Sequence, residues 1–494
     1  MSDCTCWLGV DLGTQSVRAL AVTGSGVVLA RASHALRGRR DGVRHEQDPE
    51  QWWDAFTAVC REAVAGLRPG RTSIGALAIC ATSGTIVLVD AAGDPLSPGL
   101  MYDDARAPGE TARANEAGAS VWESLGYRIQ PTWGLAKLLW LLREHGDTAR
   151  GVRLAHQADF VTRRLVGCEV PADSSHALKT GYDLVHDSWP HDVMAALGVP
   201  VGMLPSVVRS GTELGTVGRR GAVATRIPRG TAVIAGMTDG CAAQLASGAL
   251  SVGSWSSVLG TTLVLKGVSA EPVRDPGGAV YSHRSPDGRW LPGGACSAGA
   301  GALSERFPDR DLAALDRRAA AHEPASVLAY PLASRGERFP FSAPGAEGFM
   351  LGEPSGEADH FAALLQGVAY LERLCFDYLD HLGAPTGGEL RLTGGATRST
   401  YWTQLRADVL RREVRLTEQG EPALGMALLA ASASGGRGLA KTAEEMVRVR
   451  EVIEPREDRA ERFREPYVRL VDELERRGWL AQSVADHARI RAGR

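Results

Sequence analysis

Apolar and polar positions near the start of the chain alternate with a period of two, and glycines break the alternation. Trp7–Val10, Val17–Val22 and Val27–Ala30 each read as a strand, separated by Gly13-Thr14 and Gly24-Ser25-Gly26, which predicts an antiparallel meander. From Pro49 to Leu67 the period lengthens to that of a helix, with Asp48 at the N-cap and Pro49 at the first helical position. Strands follow at Ile74–Ala81 and Ile86–Val89, then amphipathic helices around Leu135–Glu144 and Ala158–Leu165. Later the theme returns. Ala232–Ala235 reads as a strand, Asp239 opens an Ala-rich helix, and Ser254–Leu259 and Leu263–Lys266 form a second glycine-hinged hairpin. Leu390–Thr393 is a further strand, followed by a helix over Thr400–Leu410. Strands alternating with helices predict α/β architecture.

A chain of 494 residues is too long for one ordinary core, so two domains are expected. The Arg/Gly/Pro-rich stretch Arg219–Gly230 interrupts the pattern and sets the expected division at 1–236, 237–440 and a C-terminal helical extension, 441–494. In that extension Tyr467, Leu470, Val471 and Leu474 share one helix face. With 44% hydrophobic and 23% charged residues the composition is globular, and a net charge of −3 gives no electrostatic footprint for nucleic acid. The arginines from Arg448 to Arg464, with Arg476 and Arg477, are interleaved with acids and read as a solvated helix face. The eight cysteines lack zinc-site spacing and read as reduced thiols. No apolar run reaches the roughly 18 residues of a membrane span, and residues 1–8 lack a secretory pattern. The expected location is the cytoplasm, as a monomer or homodimer, with no membrane or nucleic-acid partner.

Leu12-Gly13-Thr14 and Leu259-Gly260-Thr261 are the same tripeptide, each between two strands. Glycine lets backbone approach an oxyanion, and the hydroxyls of Thr14, Ser16, Thr261 and Thr262 can donate to it. The chain has no Gly-x-x-x-x-Gly-Lys-Ser/Thr loop and no protein-kinase loop, so phosphate binding would fall to these turns. Asp11 precedes the first turn; beside a phosphate it points to Mg²⁺, held directly or through water. Asp239 stands between strand and helix, where a helix cap and a general base are equally good readings of position alone. Asp103, Asp104, Thr82 and Ser83 offer hydrogen-bonding groups to a polyol. Gly394-Gly395 would let an adenine lie flat on the backbone.

Five segments occur in order: Asp-Leu-Gly-Thr-Gln-Ser at 11–16, Tyr-Asp-Asp-Ala-Arg at 102–106, Gly-Met-Thr-Asp-Gly at 236–240, Leu-Gly-Thr-Thr at 259–262 and Thr-Gly-Gly-Ala-Thr at 393–397. Together they resemble the FGGY carbohydrate kinases of the actin-like ATPase superfamily, with Gly336-Glu337-Arg338 and Pro422-Ala423-Leu424-Gly425 as further landmarks. The resemblance spans about residues 7–435. It implies two ribonuclease-H-like domains with ATP in an interdomain cleft and Asp239 as the catalytic base. It also implies Asp11 near Mg²⁺, phosphates on Gly13, Thr14, Gln15 and Ser16 and on Gly260, Thr261 and Thr262, and adenosine at Gly394, Gly395 and Ala396. The implied reaction is ATP-dependent phosphorylation of a small ketose.

Ala81-Thr82-Ser83-Gly84 stands where glycerol kinases carry Asn-Gln-Arg-Glu and xylulokinases a Gln-Met-His element. Tyr102-Asp103-Asp104 replaces the Trp-Asn-Asp of xylulokinases. Ser174–Asp183 looks most like the xylulokinase-like subgroup that acts on D-ribulose, which sets D-ribulose as the expected substrate and D-xylulose or another polyol as the alternative. An actin-like ATPase switch without a sugar is the reading from a different class.

Overall fold

The structure is a computed structural model that describes residues 4–146 and 151–493. It divides into two compact units. Unit 1 holds the chain up to Gly248 with His283–Arg289 and Gln419–Arg448; unit 2 holds Ala249–Ser282, Trp290–Glu418 and the chain from Val449 on.

Unit 1 is built on β1 (Cys4–Leu12), β2 (Ser16–Thr23) and β3 (Val28–Ala35), the meander expected from the glycine turns. Helix α1 (Pro49–Ala65) starts where Asp48 accepts a hydrogen bond from the Glu50 N–H, and buries Trp52, Phe56, Val59, Cys60 and Ala63 on one side. Strand β4 (Thr72–Ala81) runs parallel to β1 and is wholly buried from Ala76 onward, as a strand covered on both faces must be. Strands β5 (Glu213–Thr216) and β6 (Ala232–Ile234) complete a sheet in the order β5-β6-β4-β1-β2-β3, and helix α2 (Asp239–Ser247) follows.

The helix Pro422–Gly435 returns from far along the chain to lie on β1, β4 and α2. The approach is backbone to backbone: a Cβ at Gly9 would stand 1.8 Å from the Ala423 carbonyl oxygen, and one at Gly425 would stand 2.0 Å from that of Ala242. Gly425 is thus required by packing, which explains the Pro-Ala-Leu-Gly landmark. It also places α2 with unit 1, so the compact units differ from the boundaries read at 236 and 440.

Unit 2 centres on β7 (Trp255–Leu259), β8 (Leu263–Gly267), β9 (Tyr281–Arg284) and β10 (Trp290–Ala295), then helix α3 (Glu357–His381), β11 (Leu390–Thr393), α4 (Thr400–Leu410), β12 (Val414–Thr417) and β13 (Val449–Ile453). The sheet order is β9-β10-β8-β7-β11-β12-β13. Every residue of α3 from Phe361 to Leu379 is buried. Within that core Arg406 of α4 donates to both Glu372 of α3 and Ser257 of β7 at 2.7 Å, which ties both helices to the strand leading into the Gly260 turn. Tyr467, Leu470, Val471 and Leu474 are fully buried in the same core, so the apolar face near the C-terminus packs on its own chain.

The two sheets repeat one plan. Three antiparallel strands (β3-β2-β1, β10-β8-β7) are followed by two parallel ones (β4-β6, β11-β12) and an antiparallel edge (β5, β13). Among the described residues no helix is long and apolar enough to cross a membrane.

Candidate active site

In a parallel sheet, loops at the carboxyl ends of the strands gather on one edge. In unit 1 those loops carry Asp11, Thr82 and Asp239. Asp11 lies opposite Cys80 on β4, Leu12 opposite Ala81, and Ala81 bridges to Thr238 in parallel register. Asp11 is 5% exposed; the Cys80 thiol donates to its carboxyl at 3.6 Å and Arg18 stands 4.0 Å away. Burial first, then the negative charge of Asp239, pushes the Asp11 carboxyl up to about 7 against the pull of Arg18.

Asp239 is the first residue of α2 and partly exposed, with one oxygen accepting from the Gly240 N–H at 2.8 Å. Thr238 occupies the N-cap without a side-chain cap bond. Its N–H instead donates to Ser175 Oγ at 2.8 Å, and that hydroxyl donates to Asp173 at 2.7 Å. Asp173 also binds the His176 ring, which reaches the Ala81 carbonyl at 3.3 Å. Burial opposes the His176 charge, but Asp173 outweighs it and holds His176 above its usual value, while Asp173 is held below its own. This buried ion pair therefore braces the ends of both β4 and the segment leading to Asp239.

The first hairpin turn closes through the Gly13 N–H to the Ser16 carbonyl at 3.1 Å. Gln47 donates to the Thr14 carbonyl at 2.7 Å and accepts from the Trp52 indole at 2.7 Å, anchoring the turn to α1. Gly13, Thr14 and Ser16 are partly exposed and Gln15 is exposed, and no protein partner holds the hydroxyls of Thr14 or Ser16 among the described residues.

In unit 2 the turn Gly260–Thr262 is pinned from behind: Ala300 N–H donates to the Gly260 carbonyl at 2.9 Å and Gly301 N–H to that of Thr261 at 3.1 Å. A Cβ at Gly260 would meet nothing within 4 Å, so the turn faces open space. Gly394 follows the adjacent parallel strand with φ +91°, and a Cβ there would lie 2.5 Å from the Leu259 carbonyl. Gly394 and Gly395 are exposed beside the Gly260 turn, whereas Ala396 turns its methyl into the core and can contribute backbone only.

The residues expected to meet a polyol divide differently. Thr82 is buried, its hydroxyl bonded to Thr85 at 2.6 Å and Gln157 at 2.8 Å. Asp104 is fully buried, accepting from the His45 N–H and from Arg106. Asp103 is paired with Arg40 and His45, both at 2.6 Å. Thr82 and Asp104 shape their loops from inside, whereas Asp103 is partly exposed. Ser83 is different: its hydroxyl is buried without a hydrogen-bond partner, as are Gln157 Nε2 and Ser174 Oγ. Ser83 lies in the Ala81–Gly84 turn, Gln157 bonds Thr82 of that turn, and Ser174 adjoins Asp173 and Ser175 of the brace whose His176 reaches Ala81. Gln157, Ser174, Ser175 and His176 had one legible signal, an Asp and a His three residues apart at 156/159, 173/176 and 183/186.

Among the described residues no three His, Cys, Asp or Glu side chains form a group able to hold a metal. Asp11 with Asp239 nearby still suits a cation that brings further ligands from phosphate and water.

Two such units, each with a glycine turn at the ends of its central strands, make the actin-like ATPase fold. The N-terminal domain model of the FGGY family of carbohydrate kinases matches residues 6–246, and the C-terminal domain model matches 255–434. Xylulose kinase from Streptomyces coelicolor is 30% identical over 449 residues, spanning 88% of this chain and 89% of that one. The Escherichia coli xylulose kinase is 28% identical over 445 residues, 86% of this chain and 89% of its own. The crystal structure of xylulose kinase from Rhodospirillum rubrum superposes with a TM-score of 0.85 at 28% identity, covering 95% of this chain and 99% of that one. The chain belongs to the FGGY family of carbohydrate kinases.

Proposed function

We propose that the protein transfers the terminal phosphoryl group of ATP to a hydroxyl of a small ketose, and that the ketose is D-xylulose. The observation that carries the reaction type is the placement of a partly exposed Asp239 and the buried Asp11 at neighbouring strand ends of unit 1. Asp239 accepts the proton of the attacking sugar hydroxyl. The positive end of α2 favours negative charge at this position. Asp11 serves Mg²⁺ together with phosphate and water, and the bound ion would supply charge neutralisation at the phosphates. The turns Gly13–Ser16 and Gly260–Thr262 offer N–H and hydroxyl donors to phosphate oxygens, and Gly394-Gly395 offers a flat backbone to adenosine.

Ser83, Gln157 and Ser174 hold buried polar atoms that lack partners, and a polyhydroxylated ligand would satisfy them. D-xylulose is supported by the near full-length relatives named xylulose kinase. The D-ribulose reading rested on residues 174–183, and most of that segment is bonded inward. Ser175 and His176 bond Asp173, Asp183 holds the Val185 and His186 N–H groups, and Tyr182 packs edge-on to Trp189. Comparison of kcat/KM for D-xylulose, D-ribulose, L-ribulose and glycerol tests the assignment; a higher value for D-ribulose would replace D-xylulose.

A further inference from the structure

At the end of β11 opposite Gly394, unit 2 contains a cavity of about 850 Å³ bounded by the last turns of α3 and α4 and the loop before Glu389. Five arginines and four carboxylates line it. The carboxylates are matched: Arg491 pairs with Asp377 and Asp380, and Arg415 with Glu389 and Glu413. Arg411 reaches away to Glu457 and Glu461.

Arg373 and Arg412 are left. Neither has a carboxylate within 4 Å among the described residues. Arg373 is 7% exposed, yet its hydrogen bonding amounts to one long contact, 3.4 Å to the Val409 carbonyl, with its guanidinium over the Tyr467 ring. Arg412 donates to the Thr386 and Gly388 carbonyls and lies over Phe376. One buried and one partly buried guanidinium, each held over an aromatic ring, have no carboxylate in direct contact and feel Asp377 and Glu372 only at longer range, which leaves room for an anion to restore lost solvation. Guanidinium forks match phosphate oxygens in charge and geometry.

We propose that this cavity is a second ligand site, separate from the strand-end turns, which takes a small phosphorylated metabolite on Arg373 and Arg412. It faces the N-terminal end of β11, whereas the Gly260 and Gly394 turns lie at the C-terminal ends of β7 and β11.

The test is calorimetric titration at low ionic strength with two probes, inorganic pyrophosphate and phosphoglycerate. With the nucleotide site saturated by a non-hydrolysable ATP analogue, wild type is expected to bind one probe per chain. Arg412→Gln and Arg373→Lys should each weaken binding at least about tenfold, the scale of one charge-assisted hydrogen bond. Arg219→Gln, the same charge change at an exposed position of unit 1, should leave it unaltered. Arg412 is only partly buried, so its variant keeps the test valid if Arg373→Lys fails to fold. Equal affinity for the probes means the site reads phosphoryl charge alone; preference for phosphoglycerate adds recognition of the carbon skeleton. No binding at millimolar probe, or the same affinity in the two cavity variants as in wild type, overturns the proposal.

Discussion

The Thr238 N–H donates to the buried Ser175 hydroxyl at 2.8 Å, immediately before Asp239. Ser175 in turn is held by Asp173, so the direction in which α2 begins depends on a side chain 63 residues upstream. Ser175→Ala leaves the Thr238 N–H without its partner and should lower stability by about 1–3 kcal/mol. If the hydroxyl positions Asp239, kcat falls about tenfold well below the unfolding temperature while KM for ATP stays near wild type. A variant with lowered stability and unchanged kcat would reduce Ser175 to a structural role.

Gly260→Val tests the unit 2 turn. Nothing lies within 4 Å of the added Cβ, so the fold should tolerate it and the unfolding temperature should hold. The new side chain would stand where phosphate oxygens are expected, and ATP affinity should fall at least about tenfold. Unchanged affinity by calorimetry would remove this turn from nucleotide binding.

Lys137 provides a pH signature independent of catalysis. It is fully buried and donates to the Met101 carbonyl at 2.7 Å. Burial lowers its pKa from 10.5 to about 7, with Asp104 pulling the other way. The folded value lies below the unfolded one, so between about 7 and 10.5 the unfolded chain binds the extra proton and stability gains with rising pH. Below about 7 both states are protonated and the penalty of the buried charge is complete. The stability of wild type relative to Lys137→Met should therefore rise between pH 7 and 9, by at most about 1.4 kcal/mol per unit. Parallel urea-unfolding stabilities across that range would contradict it.

Much of the fold was legible because its signals are local. The opening meander, α1 with its Asp48 cap, the second hairpin and β11 announce themselves through period and glycine. Helix α3 did not: it is buried all round from Phe361 to Leu379, so no polar stripe marks a helical period. The return of Pro422–Gly435 to unit 1 is a long-range packing event that local pattern does not carry. The candidate site follows the same division. The positions of Asp11, Asp239 and the two turns at strand ends were legible, because each follows a short apolar run. That Arg40, His45 and Arg106 hold Asp103 and Asp104 is not visible in the sequence, because these partners come from separate segments or through a folded loop. Gln157 and Ser175 act through partners 75 and 63 residues away, which spacing cannot disclose.

The central claim, that Asp239 removes the proton from a ketose hydroxyl during phosphoryl transfer from ATP, is tested most directly by ADP release from wild type and Asp239→Asn side by side, with and without D-xylulose. D-xylulose should stimulate wild-type release, and Asp239→Asn should retain ATP binding with turnover lowered at least about 10²-fold. Near-normal turnover by a folded Asp239→Asn, or wild-type ADP release indifferent to the sugar, would contradict the account.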